Sequence, residues 1–582
     1  MSFAELKAAR QGKSSYVTQN SSQNSQSSSA APSQVVQQSE ESLAPTESIY
    51  KAIPDFLEIR SSSGSGRGLW AKKACTPGQV LLVAKPHAAA LSSEHLDTHC
   101  AQCFGSETDG GLKRCTQCQI VYYCGPTCQN LDWVIHKHEC AALQRIAASG
   151  ETSLPSDAIR CLARIMWKRQ KLGPTSSWTR EIDSLQSHNQ DLKPAAYELH
   201  THLAISLVRY LGLSSPSEIV SFGMVSGADL ANFVSRFVTN TFTISDPSLM
   251  SLGASVSPPV ALINHSCDPN AVVVFPRSRP DPAQEPLMQV IALREIRADE
   301  EILTAYIDTT LPRAQRQTTL LETYLFLCIC PLCTSTDEVD PRESVWCPKG
   351  CGGMCPTPTE ENSFSRCAKC KAVLQKTDEV LDAQRIGQQA LDKATTLQLS
   401  DPEKAHQLTS NLIPILTSAG LTPSSHPLLA LTRLHQALLI SALRSPTQET
   451  LDETIVTASK AFSGLCAVLR YGHPVRGLAR AELGKLLAVD EPSPRQPGSG
   501  SAAEEALRFP PSGVKRLRLA LDTLLQARAE LGVGFGVPNE GGQVGRSVRE
   551  DIVKLERELG AWKKGVSEVM EDARLAAKSS SK

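Results

Sequence analysis

Between Cys100 and Cys140 the sulfur and imidazole side chains fall in close pairs: Cys100 with Cys103, Cys115 with Cys118, Cys124 with Cys128, and His136 with Cys140. Zinc takes four thiolate or imidazole ligands in a tetrahedron, and two ligands a few residues apart can share one ion. Four such pairs make two closed sites with no open position, so these ions would be structural. The segment is too short for a sizeable core, and metal binding would supply its folding free energy. Spacing alone does not say which pair joins which. His138 falls outside the spacing and reads as a surface residue.

Nineteen cysteines in 582 residues would suggest disulfides in a secreted chain. Met1-Ser2-Phe3-Ala4-Glu5-Leu6-Lys7 lacks the apolar run of a signal peptide, so metal is the better account of the paired spacings. No apolar stretch is long enough to span a bilayer. Lys and Arg total 59 against 60 for Asp and Glu, a balance that gives no reason to expect nucleic acid as a partner. A chain of this length exceeds one hydrophobic core and divides into domains. Residues 1–50 are rich in Ser, Gln and Ala. They cannot bury enough surface to offset their chain entropy and are expected to form a disordered tail.

Order is expected from Phe56-Leu57-Glu58-Ile59, a strand that enters the Gly/Ser loop ending at Gly64-Ser65-Gly66-Arg67-Gly68. The glycines permit positive φ and close approach of backbone to a ligand; a plain hairpin turn is the other reading. Val80-Leu81-Leu82-Val83, Ala271–Phe275 and Met288–Leu293 read as strands. Residues 141–240 read mostly as helices, with apolar faces on Ile159, Leu162, Ile165 and Met166, on Leu203, Leu207, Tyr210 and Leu211, and on Leu230, Phe233, Val234 and Phe237. Asn264-His265-Ser266-Cys267-Asp268-Pro269-Asn270 is a polar knot between a Pro pair and a strand, costly unless its groups find partners. Glu300 and Glu301 read as an exposed turn leading into Ile302-Leu303-Thr304-Ala305-Tyr306.

Cys347 with Cys351 and Cys367 with Cys370 form a further paired set suited to a zinc ribbon, with Cys355 a competing ligand. Cys75, Cys161 and Cys466 are left as plain thiols. From residue 376 onward the chain reads as helical, with stripes on Leu428, Leu431, Leu434, Leu438 and Leu439, on Ile455, Ala458, Phe462, Leu465 and Leu469, and on Leu517, Leu521, Leu524 and Leu525. Ser547-x-x-Glu550 reads as a capping box that opens a helix. Residues 490–512 read as a flexible Pro/Gly/Ser/Ala loop.

Taken together, Gly64–Trp70, Leu262–Asn270, Ala298–Asp308 and Tyr324–Cys333 resemble the SET domain of lysine methyltransferases, and Cys100–Cys140 resembles a MYND zinc module. A SET domain split by a MYND insertion is the SMYD arrangement, and the resemblance covers residues 55–375. It implies an α+β, multidomain fold: a β-rich SET domain interrupted by a MYND module, a cysteine-rich post-SET segment, and an all-α C-terminal lobe of helical hairpins. The expected divisions are 55–95 (SET, N-terminal part), 100–140 (MYND), 141–245 (helical insert), 246–308 (SET core), 309–375 (post-SET and zinc ribbon) and 376–582. Tyr471-Gly472-His473-Pro474 and Leu483-Gly484-Lys485-Leu486 resemble the tetratricopeptide-like lobe of SMYD proteins.

The same resemblance implies interleaved zinc pairing, with Cys100, Cys103, Cys124 and Cys128 on one ion and Cys115, Cys118, His136 and Cys140 on the other. It implies a post-SET zinc on Cys267, Cys328, Cys330 and Cys333. A fourth ion on Cys347, Cys351, Cys367 and Cys370 is an addition that many SMYD proteins lack. For S-adenosylmethionine it implies contacts from Ser65, Gly66, Arg67, Asn240, Asn264, His265 and Phe326, the last against the adenine. A satisfied helix-end cap is an equal reading of Asn240. The family often has Lys where this chain has Ser65, which removes one charge-assisted contact to the cofactor carboxylate. Tyr306 is the implied catalytic residue, and Tyr324 would flank the target-lysine channel. Tyr123, Gln129 and Trp133 stand where MYND domains grip proline-containing peptides; packing on the zinc core explains the two aromatics equally well.

The expected activity is S-adenosylmethionine-dependent methylation of a lysine in a histone or non-histone protein. The competing expectation is a weak or inactive adaptor whose MYND module and helical lobe bind partner peptides. Expected partners are a protein substrate, a proline-containing peptide at the MYND module and a chaperone tail at the helical lobe, with no membrane and no nucleic acid. The expected compartment is cytoplasm, nucleus or both.

Overall fold

The computed structural model describes residues 49–62, 64, 66–106, 111–150, 153–188, 192–278, 281–335, 338–443, 446–493 and 509–580. Ser65, the tail expected over 1–50 apart from its last two residues, and most of the loop expected over 490–512 lie outside the described residues.

Strands β1 (Leu57–Ser62) and β2 (Gly66–Ala71) form an antiparallel hairpin. Gly66 adopts φ +72°, a conformation that glycine reaches without steric cost. β3 (Val80–Ala84) and β4 (Ala88–Leu91) follow. Then the chain leaves the sheet region for the short pair β5 (Lys113–Arg114) and β6 (Tyr122–Tyr123). Helix α1 (Pro126–Ala148) starts on a proline, whose missing N–H costs nothing at that position. α2 (Asp157–Leu172) is capped by the Ser156 hydroxyl and is buried over most of its length. α3 (Ser177–Asp183), α4 (Pro194–Leu211) and α5 (Gly227–Thr239) complete the helical insert. A Ser226/Asp229 capping box opens α5, and Asn240 closes it. The apolar faces expected on α2, α4 and α5 are buried, apart from half-buried Ile159.

The chain then returns to the sheets. β7 (Thr241–Ser245) and β8 (Ser251–Val256) join β4 in the order β4-β8-β7. β9 (Asn264–His265) precedes β10 (Ala271–Val274) and β11 (Met288–Ala292), which form a sheet in the order β10-β11-β3. Ile302–Tyr306 yields only β12 (Leu303–Thr304), which runs parallel to β9 with Leu303 opposite Asn264. These small sheets share one core with the helical insert, through Leu69, Leu82, Val256, Ile263, Val290 and Ile302.

α6 (Arg313–Thr323) leads through a cysteine-bearing turn to the hairpin β13 (Ser344–Trp346) and β14 (Met354–Pro356). Among the described residues seven helices follow, each packed on the next: α7 (Thr377–Leu397), α8 (Pro402–Ser418), α9 (Leu428–Ala442), α10 (Gln448–Val468), α11 (Pro474–Ala488), α12 (Val514–Gly534) and α13 (Gly542–Ser580). α11 and α12 meet closely because a Cβ on Gly484 would stand 2.7 Å from the Leu524 side chain. α12 also closes over the SET sheet, where Phe535 and Leu531 share a core with Val274 and Ile291.

Three expectations fail on tertiary grounds. Ser547 is not a cap: α13 begins at Gly542, and the Ser547 hydroxyl pairs instead with the Lys485 ammonium at 3.1 Å. Leu525 is 43 % exposed, because the buried face of α12 passes through Leu524, Ala527 and Leu531. His138 is half-buried and stacks on Trp167 at 6.0 Å, since α1 packs against α2.

Candidate active site and metal centres

The polar knot finds its partners across the parallel pair β9–β12. Asn270 is fully buried, and its side-chain amide donates to the Glu300 carboxylate (3.0 Å) and the Glu301 carbonyl (2.8 Å). Its Oδ1 accepts from the Leu303 N–H at 2.8 Å. The Asn264 amide donates to Glu301 Oε1 at 2.7 Å and to the Arg67 carbonyl at 3.3 Å, tying β9 to β2. A Cβ on Gly68 would run into the Glu301 carboxylate and push it from its place beside Asn264. Glu300 and Glu301 are therefore not an exposed turn. They are half-buried acceptors that brace the knot, and Glu300 also pairs with Arg294 at 2.7 Å.

His265 has both ring nitrogens engaged. Nδ1 accepts from the Tyr306 N–H at 3.0 Å, so the proton sits on Nε2, which faces Cys267 Sγ at 3.3 Å. Burial, reinforced by the Arg316 cation, pushes this imidazole down to about 4 and keeps it neutral at pH 7. The Tyr306 hydroxyl donates to the Ile263 carbonyl at 2.6 Å, immediately before Asn264-His265. Burial, with smaller contributions from Tyr324 and Glu301, pushes the phenol well above its usual range, so it stays protonated. The Tyr306 ring lies 5.3 Å from His265, 5.0 Å from Tyr324 and 6.4 Å from Phe326. The Tyr324 hydroxyl reaches the Tyr306 carbonyl at 3.3 Å. Leu325, between the two other rings, takes φ +63°, a strained conformation of the kind that collects at functional sites.

The other residues expected at the cofactor are distributed around this cluster. Gly66 lies at the β2 end of the hairpin. The Arg67 guanidinium is held by the Ser184 carbonyl and the Tyr50 hydroxyl. Asn240 donates to the Arg236 carbonyl at 2.8 Å and the Gln186 carbonyl at 3.0 Å, the geometry of a helix cap.

Four sets of thiols and imidazoles converge to within 4.8 Å: Cys100, Cys103, Cys124 and Cys128; Cys115, Cys118, His136 and Cys140; Cys267, Cys328, Cys330 and Cys333; Cys347, Cys351, Cys367 and Cys370. Each offers four soft or imidazole donors and no spare position, which is the donor set of structural zinc. Cys355 belongs to none of them. It lies buried on β14 and faces the cores of α7–α9.

The supports of these sets were not legible in the spacing. Glu139 holds His136 Nδ1 at 3.3 Å, orienting Nε2 toward Cys118. Burial alone would raise the Glu139 carboxyl, but Arg164 and Arg160 beside it hold it well below the usual carboxylate range. Arg164 also grips Asp132 at 2.8 Å, and Asp132 accepts from Tyr123 at 2.8 Å. Tyr123 is thus sealed in the zinc core and cannot line a peptide groove; Gln129 and Trp133 remain half-buried. At the third set a buried guanidinium, Arg316, lies 3.8 Å from Cys333 Sγ and offsets thiolate charge. Asp268 of the knot forms a two-point ion pair with Arg470 of the helical lobe.

Known proteins resemble this chain in sequence over part of its length. The MYND finger family model matches residues 100–140. Histone-lysine N-methyltransferase ASHR1 of Arabidopsis thaliana is 30% identical over 362 residues, covering 60% of this chain and 71% of that protein. N-lysine methyltransferase SMYD2 of Gallus gallus is 33% identical over 288 residues, 49% of this chain and 61% of the relative. SMYD2-A of Xenopus laevis is 32% identical, with 50% and 63% covered. The chain thus spans about three-fifths of the length of the SMYD2 relatives it matches. A solved SET domain of LSMT, bound to lysine and AdoHcy, aligns at 11% identity over 88% of each chain with a TM-score of 0.27, too low to inform the fold.

Proposed function

The chain belongs to the SMYD family of SET- and MYND-domain proteins, and from that premise we propose that it is an S-adenosylmethionine-dependent protein-lysine N-methyltransferase. The observation that carries the reading is half-buried Tyr306, its ring set among His265, Tyr324 and Phe326 and its hydroxyl bonded to the carbonyl that precedes Asn264. The donor fits the residues present. Asn264 and His265 have committed side chains, so a ligand would meet their backbone groups. Gly66 has open space where a side chain would stand, and the half-buried Phe326 ring offers an apolar face for an adenine.

S-adenosylmethionine supplies an electrophilic methyl group when bound. The protein's part is to prepare the amine. A free lysine has a pKa of about 10.4 and is almost wholly protonated at neutral pH. Apolar, aromatic surroundings favour the neutral amine, whose lone pair is the nucleophile. Tyr306 has its own proton committed to Ile263, which leaves its oxygen lone pairs to accept from an amine N–H and aim the nitrogen. Positioning of this kind supplies much of the rate in a displacement reaction.

On this reading residues 55–308 form the split SET domain, 100–140 the MYND module, 309–375 the post-SET and ribbon segment, and 376–582 the helical lobe. Zinc occupies the four sets, and the substrate is a protein lysine. No helix among the described residues is long and apolar enough to cross a membrane; cytoplasm and nucleus are the compartments we propose. A proline-containing peptide on Gln129 and Trp133, and a chaperone tail on the helical lobe, are the partners this reading would add.

The test is titration calorimetry with S-adenosylmethionine on the wild type and on Asn264→Ala/His265→Ala. Binding by the wild type that the double variant loses is the expected result, because the variant removes the bonds to Glu301 and the Tyr306 N–H that hold this backbone in place. No binding to zinc-loaded wild type would replace the enzyme with the peptide-binding adaptor. Tyr306→Phe is expected to keep donor affinity while losing about a hundredfold in turnover; full turnover would remove Tyr306 from its role.

A further inference from the structure

The MYND helix α1 and helix α2 diverge around a cavity of about 330 Å³ that lies on the opposite face of α1 from Gln129 and Trp133. Its rim is apolar and open to solvent: Leu131 is 47 % exposed, Val134 44 % and Leu172 44 %. Three ammonium groups line it, Lys85, Lys168 and Lys171. Among the described residues none of the three makes a salt bridge. Lys85 donates to the Ala283 carbonyl at 3.2 Å; Lys168 lies 4.6 Å above the Trp178 ring and 3.4 Å from the His87 carbonyl. Burial, and the neighbouring Lys85 cation, push the Lys168 ammonium down to about 8, the direction expected of like charges held together out of water.

Asp132 also lines the cavity, but its carboxylate is consumed by Arg164 and Tyr123 and cannot offset the lysines. The result is a concave surface of unpaired positive charge edged with leucine and valine. A bare anion would leave those apolar side chains in water. A nucleic-acid backbone would meet them with its phosphodiesters, where they contribute nothing. An extended peptide carrying Asp or Glu between apolar side chains matches both: the carboxylates meet the ammonium groups and the apolar residues cover the rim.

We propose that this cavity between the MYND helix and α2 is a docking site for an acidic, apolar peptide segment of a partner protein. It is separate from the Tyr306 cluster and from the Gln129/Trp133 face, so it would recruit a partner rather than present a lysine for reaction. It stands whether or not the chain methylates.

The experiment selects a displayed random peptide library on the full-length, zinc-loaded protein. It then measures the enriched peptide by fluorescence polarisation against Lys85→Gln/Lys171→Gln, Leu131→Ser/Val134→Ser and Gln129→Ala/Trp133→Ala. The first two pairs replace exposed side chains, and an unchanged thermal midpoint verifies their fold. The expected result is an enriched motif of acidic and apolar residues whose affinity falls about tenfold in each of the first two variants, a loss of about 1.4 kcal/mol, and is unchanged in the third. A motif without acidic residues would overturn the proposal. So would affinity that survives both cavity variants, affinity lost only in Gln129→Ala/Trp133→Ala, or displacement of the peptide by a single-stranded oligonucleotide.

Discussion

Two of the cysteine sets differ in how far the protein encloses them. Cys115, Cys118, His136 and Cys140 are all buried, and His136 is oriented by Glu139, which is itself enclosed with Arg160 and Arg164 from α2. In the set Cys347, Cys351, Cys367 and Cys370 the first and third are buried, but Cys351 is half-buried and Cys370 exposed. Their hairpin is held to the helical lobe by backbone and hydroxyl bonds, Trp346 N–H to the Gly420 carbonyl (2.8 Å) and Ser344 to Thr422 (2.9 Å). In the first case the metal site is part of the protein's interior, and its ligand support is shared with the SET insert. In the second it closes a small hairpin that shares a core with α7–α9, and two of its ligands face solvent. The same donor chemistry thus serves integration in one place and local attachment in the other.

The sharpest way to break this contrast is to remove the metal. Structural zinc contributes about 10 kcal/mol or more to a small module's folding. Titrating a strong chelator while following metal release and circular dichroism should empty the exposed ribbon first, with little loss of helix. Release from the MYND sets should come later and coincide with loss of the SET fold. Simultaneous release would erase the distinction.

Glu139→Ala should come next in size. It leaves two buried guanidinium groups without their shared carboxylate and frees His136, at a cost of about 3–5 kcal/mol. Denaturant unfolding measures it, and a loss below about 1 kcal/mol would mean that solvent reaches this network. The smallest effect is expected from Cys370→Ser, where an exposed ligand is exchanged at the edge of the molecule. A drop of about 1–2 kcal/mol, seen in thermal unfolding of the helical lobe, would sharpen the comparison. A loss as large as that of Glu139→Ala would show that the ribbon, too, supports the core.

The ligand spacings were readable because two donors within one short turn reach one ion whatever the rest of the fold does. The helix faces were readable for the same local reason: Leu162, Met166, Phe233 and Phe237 repeat at the helical period and are buried. The misread residues are those whose state depends on a distant neighbour. Tyr123 read equally as a peptide contact or as packing on the zinc core, and Asp132 and Arg164 decide for packing. Glu300 and Glu301 looked like a solvated turn, yet Asn270 and Asn264 lie thirty and thirty-seven residues before the carboxylates they bind. Ser547 satisfied a capping pattern that is only a hydrogen-bond option, and the helix had already begun at Gly542.

What the sequence determined alone was therefore the local chemistry: paired metal ligands, helical and strand periods, the polar knot that needed partners, and the resemblance to a split SET domain. The tertiary structure decided which buried charges answer one another, that His265 is wired between Tyr306 and Cys267, and that α1 and α2 part around a lysine-lined cavity. The physical reason is reach. A turn or a ligand pair is fixed by neighbours along the chain, whereas burial, charge compensation and cavity shape depend on which surfaces the fold brings together.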